Sequence, residues 1–383
     1  MTDSKNKIKI AFMTDKIDLR PEKTPFFRTL IEKLSNYPDF EIYMVHYKPM
    51  LDEPLYKKVN EIIIPKVSLP WGSHFFSFIL FCLTTKERFD IFMWFVPRLY
   101  PFFWLVPSKK LVVKAHDGYV GVWTKANMVF WFVLTYFNRY LDAVIGVSEY
   151  AKKEIAQTYH VNSEKVFTIY NSLDPIYRPF PEKDIPEVLA KYKIIANKYF
   201  LYVGGLQIHK NVKRLIESYI LLRQENPEIK EKLIIAGICS NQQIEKICDE
   251  TNLKNTEYYK DIIFSGFVKL EDIPVFHSGA TALVFPSLSE GFGMPVAEAM
   301  ACGNPVITSN ISALPEASGG AAILVNPYDV KDIKEAMREL ATDNKKREEL
   351  IKKGFDRIKL FTWDNCVDDH IALFKKILYH KTI

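Results

Sequence analysis

The chain has 383 residues, of which 48% are apolar and 25% charged. That balance excludes a disordered or fibrous protein and leaves room for two or three domains with cores of their own. The net charge of +5 lies entirely in the first half: residues 1–175 hold 23 Lys and Arg against 18 Asp and Glu, whereas residues 176–383 hold 28 of each. So mild a basic excess, without a recognition motif, excludes a nucleic-acid partner and suits an anionic membrane surface or an acidic partner.

In chain order, Lys7–Met13 is predicted as a first strand, with a helix near Pro25–Asn36 and a second strand at Phe40–His46. The stretch 71–113 is rich in aromatic residues, but its longest clean apolar run, Phe75–Leu83, falls short of the ~20 residues of a spanning helix. It reads mainly as buried strands and helices, with some aromatics and prolines left for a membrane-facing or lipid-acceptor surface. Strands are predicted at Leu111–Ala115, Ala143–Val147 and Val166–Ile169, and Ser148 is the expected N-cap of the helix that follows Val147. After the Pro-rich connector 174–186 the pattern repeats. Strands Tyr199–Val203, Leu233–Ala236, Ile262–Ser265, Ala282–Phe285 and Pro305–Thr308 alternate with helices at Val212–Arg223, Gln242–Thr251, Glu271–His277 and Pro295–Ala301. Strand–helix alternation of this kind implies parallel sheets covered by helices on both faces. The expected organisation is therefore two α/β halves, residues 1–175 and 176–361, with a ligand in the cleft between them. The five cysteines, Cys82, Cys239, Cys248, Cys302 and Cys366, include no close pair, which argues against a disulfide scaffold or zinc site and for a reducing cytoplasm. The N-terminal residues carry no pattern read as a secretory leader.

Chemistry concentrates in three segments. In ALVFPSLSEGFGMPVAEAMACGNPVITSN (282–310), a strand runs into a loop with Glu290, Gly291, Phe292 and Gly293, then a helix expected to begin at Pro295. The amides of Met294 and Val296, left unpaired in the first turn, would form an anion site with the helix dipole. Glu298 lies one turn inside, and Gly303 is the expected left-handed cap. Carboxylates beside an anion site make sense if they accept from hydroxyls, Glu298 from a ribose diol and Glu290 from a sugar. Spacing alone leaves an ordinary loop acid and a solvated helix acid equally open. In YVGGLQIHKNVKRLI (202–216) a glycine turn leads to His209, Lys210 and Asn211 before a helix, with neither a Walker ending nor GxGxxG. Lys210 could neutralise charge building on a leaving phosphate, or be a plain surface lysine. In LVVKAHDGYVGVW (111–123), His116 follows a strand, where a neutral imidazole could meet a sugar hydroxyl or be satisfied within its own domain. No acidic pair is placed to hold Mg²⁺, so no metal and no cofactor are expected.

Together these segments resemble glycosyltransferase family 4, most densely over 199–330. SEGFGMPVAEAMACGNPVITSN is similar to the paired-glutamate motif, SGFVKLEDIPVFHSGATALVFPS to its lead-in, LPEASGGAAILVNPYDVKDIKEAM to the segment after it, and AVIGVSEYAKKEI with VFTIYNSLDP to the end of the N-terminal domain. The resemblance implies the GT-B fold: two Rossmann-like domains facing each other across a cleft, with the C-terminal helix (about 362–383) crossing back onto the first. It implies a retaining hexosyltransferase without metal, using a nucleotide diphosphate sugar. GDP-mannose is the first choice of donor and a UDP-hexose the second, with a saccharide or lipid-linked saccharide acceptor. By the same resemblance Glu298 would bind the ribose, and Glu290 with the Phe292 and Gly293 amides the sugar. The Met294 and Val296 amides with Lys210 would meet the diphosphate, Gly266, Phe267 and Val268 the base, and His116 the anomeric region. Gly205, His209 and Asn211 complete the donor side. In three places the chain departs from the family. Gly205 stands where many members carry arginine, His209 stands in a basic position, and Asp15–Phe27 lacks the usual glycine pair, leaving Arg20, Lys23 and Arg28 as available cations. These departures motivate an alternative, a non-catalytic nucleotide-sugar-binding partner subunit of the same fold. Surface polysaccharide or glycolipid synthesis at the cytoplasmic face of a membrane, with peripheral contact through the N-terminal half, is the expected setting.

Overall fold

A computed structural model describes residues 7–14, 25–47, 54–68, 73–95, 101–115, 125–194 and 199–379. The chain divides into two compact units, Met1–Ser172 with Trp363–Ile383, and Leu173–Thr362.

In the first unit, seven strands form one parallel sheet in the order β3-β2-β1-β4-β5-β6-β7. They are β1 Ile8–Met13, β2 Phe40–His46, β3 Asn60–Ile63, β4 Phe89–Phe95, β5 Ser108–Ala115, β6 Ala143–Gly146 and β7 Val166–Thr168. Strands β1, β2 and β4 read as near-continuous apolar runs because both faces of the sheet are covered. Met13 lies between Val45 and Trp94 in register. Side chains on one face, among them Trp94, Phe92 and Val113, pack under the helices Ser73–Thr84 and Lys125–Phe137. Those on the other, among them Phe12, Met44 and Ile145, pack against Pro25–Ser35 and the C-terminal helix Trp363–Tyr379. That last helix buries Cys366, His370 and Phe374 in this domain, and Phe26 stacks on Trp363 at 5.2 Å. Ser148 caps its helix as expected, accepting from the Ala151 amide at 2.9 Å.

The second unit holds six parallel strands in the order β10-β9-β8-β11-β12-β13. They are β8 Tyr199–Val203, β9 Lys232–Ala236, β10 Ile262–Gly266, β11 Ala282–Phe285, β12 Val306–Ser309 and β13 Ile323–Val325. From β8 the chain winds outward through β9 and β10, then returns to β11 on the other side of β8 and winds out through β12 and β13. The reversal falls between β8 and β11, whose Leu201 and Leu283 are in register. At such a switch point the two loops leaving the strands' carboxyl ends diverge and open a crevice.

Phe374 is fully buried against the first sheet by a helix from the far end of the chain. Phe374→Ala should cost about 3–5 kcal/mol. Thermal unfolding should show a lower midpoint for the N-terminal domain, and an unchanged midpoint would mean that the helix is not part of that core.

Candidate functional site

The switch point of the second sheet gathers the residues singled out in the sequence. After β8 the chain turns through Gly204 and Gly205, where the Tyr202 hydroxyl donates to the Gly205 carbonyl at 2.8 Å. A short 3₁₀ turn, Ile208–Lys210, leads to Asn211, whose left-handed backbone (φ 59°) starts the helix Val212–Glu225. After β11 the chain runs through Pro286–Gly291 into the helix Met294–Ala301.

Several hydrogen bonds lock the two loops together. The Leu288 amide and the Ser287 hydroxyl both donate to the His209 carbonyl, at 2.7 and 2.9 Å. The buried Asn211 amide donates to the carbonyls of Pro286 (2.9 Å) and Pro327 (2.7 Å), and its oxygen accepts from Arg214 at 2.9 Å. The Asn211 side chain, expected on the donor side, ties together the loops after β8, β11 and β13. From the two locked loops Lys210 and Glu290 reach across and pair, Nζ to Oε1 at 2.7 Å, with side chains 19% and 13% exposed. The Lys210 ammonium also lies 5.2 Å from the centre of the buried Phe285 ring. Burial and the Lys210 charge hold His209 below the ordinary imidazole range, opposed by Glu290. A neutral imidazole near pH 7 follows.

The helix after Gly293 begins one residue earlier than expected, at Met294, and Pro295 is its second residue. Gly293 has φ 102°, and a Cβ there would stand 2.7 Å from a Leu314 methyl, so only glycine fits. The buried Phe292 packs edge-on against Phe361 at 4.9 Å, which pins the loop. One expectation is corrected here. The Val296 amide is not available to a ligand, because it donates to the Gly293 carbonyl at 3.0 Å. The tight first turn closes a 3₁₀-type bond that the helical pattern alone does not reveal. The Met294 amide has no acceptor among the described residues. Gly303 ends the helix in the left-handed region as expected, at φ 73°.

Glu298 is one turn in, and its partner was not legible in the sequence. Tyr177, in the connector after Leu173, faces the Glu298 carboxyl and interacts with it electrostatically. Burial raises Glu298 to about 7, the tyrosine hydroxyl pulls against that, and the charge of Asp174 adds to it. The Pro-rich composition of 174–186 marks a linker and carries no signal for this contact. At the end of β10, Gly266 (φ 69°) turns the chain, Phe267 is exposed and Val268 is buried in the core. His116, Arg20 and Lys23 lie outside the described residues. Among those described, no three His, Cys, Asp or Glu side chains cluster as metal ligands.

Comparison with known proteins places both halves. Residues 28–176 match the family model described as Glycosyltransferase Family 4, and residues 184–357 the one described as Glycosyl transferases group 1. The chain is 30% identical over 232 residues to the O-antigen chain mannosyltransferase B of Escherichia coli, covering 61% of this chain and 60% of that protein. It is 32% identical over 215 residues to the O-antigen chain mannosyltransferase RfbU of Salmonella typhimurium, covering 56% and 55%. The matched region thus spans less than two thirds of these relatives. Among solved structures, a glycosyltransferase from Rickettsia africae superposes with a TM-score of 0.73 at 15% identity, covering 98% of this chain and all of that one. Anabaena HepE in complex with UDP and glucose gives 0.73 at 16%, covering 96% and 100%. The expected α/β class, GT-B with Rossmann-like domains, is the fold of these neighbours.

A group whose folded-state pKa is raised contributes stability below its unfolded value, and loses it as pH rises through the folded value. For Glu298 that window runs from the ordinary carboxylate range, 4.5, to about 7. The buried His277 of the same domain, depressed to about 3, acts in the opposite sense, losing stability as pH falls below 6.5. The difference between Glu298→Gln and wild type therefore isolates the glutamate. The variant should gain about 3 kcal/mol relative to wild type between pH 4.5 and 7. Urea unfolding at both ends of the range checks this, and a constant difference would show the carboxyl to be solvated.

Proposed function

The chain belongs to glycosyltransferase family 4, and we propose that it transfers a hexose, mannose first, from a nucleotide diphosphate sugar to a saccharide or lipid-linked saccharide acceptor in surface polysaccharide synthesis. The mannosyltransferase relatives support the sugar and the setting; GDP-mannose is our first choice of donor, and a UDP-hexose is the second, UDP being the nucleotide in the HepE complex. The observation that carries the reading is the Lys210–Glu290 pair held across the switch point, beside a helix start whose Met294 amide lacks an acceptor among the described residues.

Family membership gives each group a task that its surroundings support. An incoming diphosphate offers Lys210 a more highly charged partner than one carboxylate does. On binding, the ammonium moves from Glu290 to the phosphate oxygens, where it offsets the negative charge that builds as the glycosidic bond breaks. The Met294 amide and the positive end of its helix act on the same charge. Glu290, released, accepts from hydroxyls of the transferred sugar. Glu298 accepts from the ribose diol. Its raised pKa suits this, because diol and tyrosine hydroxyl donors both favour the carboxylate form. Asn211 acts through Lys210 as a positioning residue, since it fixes the loop from which the lysine extends. The neutral His209 adds little to phosphate neutralisation, which rests on Lys210 and backbone. The transfer proceeds with retention of anomeric configuration and without a metal, the five cysteines remain reduced, and the reaction takes place in the cytoplasm.

Lys210→Ala should lower turnover by ~10²-fold or more, the scale of losing one electrostatic stabiliser. An unchanged kcat would refute its role. Nucleotide diphosphates and their sugars should raise the melting temperature of the wild type and act far more weakly on Glu298→Gln. Equal shifts in both proteins would remove the ribose assignment. Activity in the presence of a chelator should equal that without it; strict dependence on Mg²⁺ would show the phosphate site to be misread.

A further inference from the structure

Two helices of the N-terminal domain are apolar on the side that faces solvent. In Ser73–Thr84 the inner face buries Ser77, Phe78, Phe81 and Cys82, while Phe76, Leu80 and Leu83 (74% exposed) form an outer stripe at helical spacing. In Lys125–Phe137 the inner face buries Phe130, Val133 and Leu134, while Met128, Val129, Phe132 (51%) and Tyr136 (59%) face out. A helix that carries no amphipathic contrast is ordinarily buried on all sides. The stripes are joined through packed rings. Phe75 lies 5.9 Å from Phe102, Phe102 5.3 Å from Trp104, Trp104 4.9 Å from Phe137, and Phe137 6.1 Å from Phe132. The exposed apolar residues thus form one patch, where single scattered ones would need no explanation.

The charge around the patch identifies its occupant. Residues 65–141 contain nine Lys and Arg, of which Lys114 is buried on the other face of the sheet, against three acids, Glu87, Asp90 and Asp117. Exposed Lys86 and Arg88 follow the first helix, and exposed Arg139 lies over Tyr140, 4.9 Å from its ring centre. The nearby acids are already paired: Glu87 with Lys9 at 2.8 Å, Asp90 with Lys109 at 2.7 Å and Asp142 with Lys110 at 2.9 Å. Among the described residues no helix is long and apolar enough to cross a membrane. We infer that this patch docks in the plane of an anionic lipid bilayer, with Leu83, Phe76 and Phe132 entering the acyl boundary and the Arg and Lys rim meeting lipid phosphates. Apolar insertion beside cationic residues is the physical basis of interfacial binding. A second protein copy would leave the one-signed rim facing itself, which like charges oppose.

This deepens the acceptor half of the proposed reaction and takes its purpose from that reading, because a lipid-linked saccharide resides in such a bilayer. Vesicle flotation of the full chain tests it without turnover. Wild type should float with phosphatidylglycerol-containing vesicles, less so in 0.5 M NaCl, and remain at the bottom with phosphatidylcholine alone. The triple variant Phe76→Ser, Leu83→Ser, Phe132→Ser removes only exposed side chains and should keep the wild-type melting temperature and donor-induced thermal shift. Its vesicle partitioning should fall by ~10-fold or more. Equal flotation of the triple variant would overturn the proposal. So would a wild-type chain that ignores anionic vesicles yet sediments as a dimer that the variant dissociates. Loss of the donor-induced shift with flotation intact would instead count against the proposed function alone.

Discussion

The pair between Lys210 and Glu290 is the contact on which the rest of the candidate site depends. Each residue sits on a loop that has little reason of its own to hold one shape. They meet because β8 and β11 are parallel neighbours, so both loops leave the same edge of the sheet at the point where the winding reverses. Asn211 and the His209 carbonyl then bind the loops to each other with direct hydrogen bonds. A half-buried ion pair of this kind contributes little net stability, since desolvation offsets much of the attraction. Its effect is to keep a cation and an anion ready at a known place, each able to exchange its partner for a ligand group.

Around that pair, the polar groups follow a consistent division. Backbone and side-chain groups that the fold needs are satisfied internally, as with Asn211, the Val296 amide and the Gly205 carbonyl. Groups left with exchangeable or incomplete partnerships, Lys210, Glu290, Glu298 and the Met294 amide, are those proposed to meet the donor. Tyr177 belongs with them. Its hydroxyl faces the partly buried Glu298 carboxyl, and a hydroxyl is the same type of group a ribose would offer.

The N-terminal domain shows the complementary case, in which apolar groups are the unsatisfied ones. Its sheet is covered on one face by the helices that carry the exposed patch and on the other by Pro25–Ser35 and the C-terminal helix. That second face also encloses Lys114, fully buried, its ammonium 4.6 Å from the Phe26 ring and its pKa pushed down to about 8 by burial. Both faces of the sheet thus have cover, and the apolar surplus lies on the outer side of the covering helices.

Much was determined locally by the order of residues. The strands Phe40–His46, Tyr199–Val203 and Ala282–Phe285 have the bounds their apolar runs imply, the Ser148 and Gly303 caps follow from side-chain chemistry and backbone freedom, and the glutamate motif identifies the family. These are properties of short windows, where a few neighbouring residues set the outcome. Tertiary structure decided what depends on residues far apart. It occupied the Val296 amide within a tight turn, turned Asn211 into a tie between three loops, and set Tyr177 against Glu298 across 121 positions of sequence. It also chose which side of Ser73–Thr84 faces water, because a helix apolar all round has no pattern to say so, and only the packing of the neighbouring sheet breaks the symmetry.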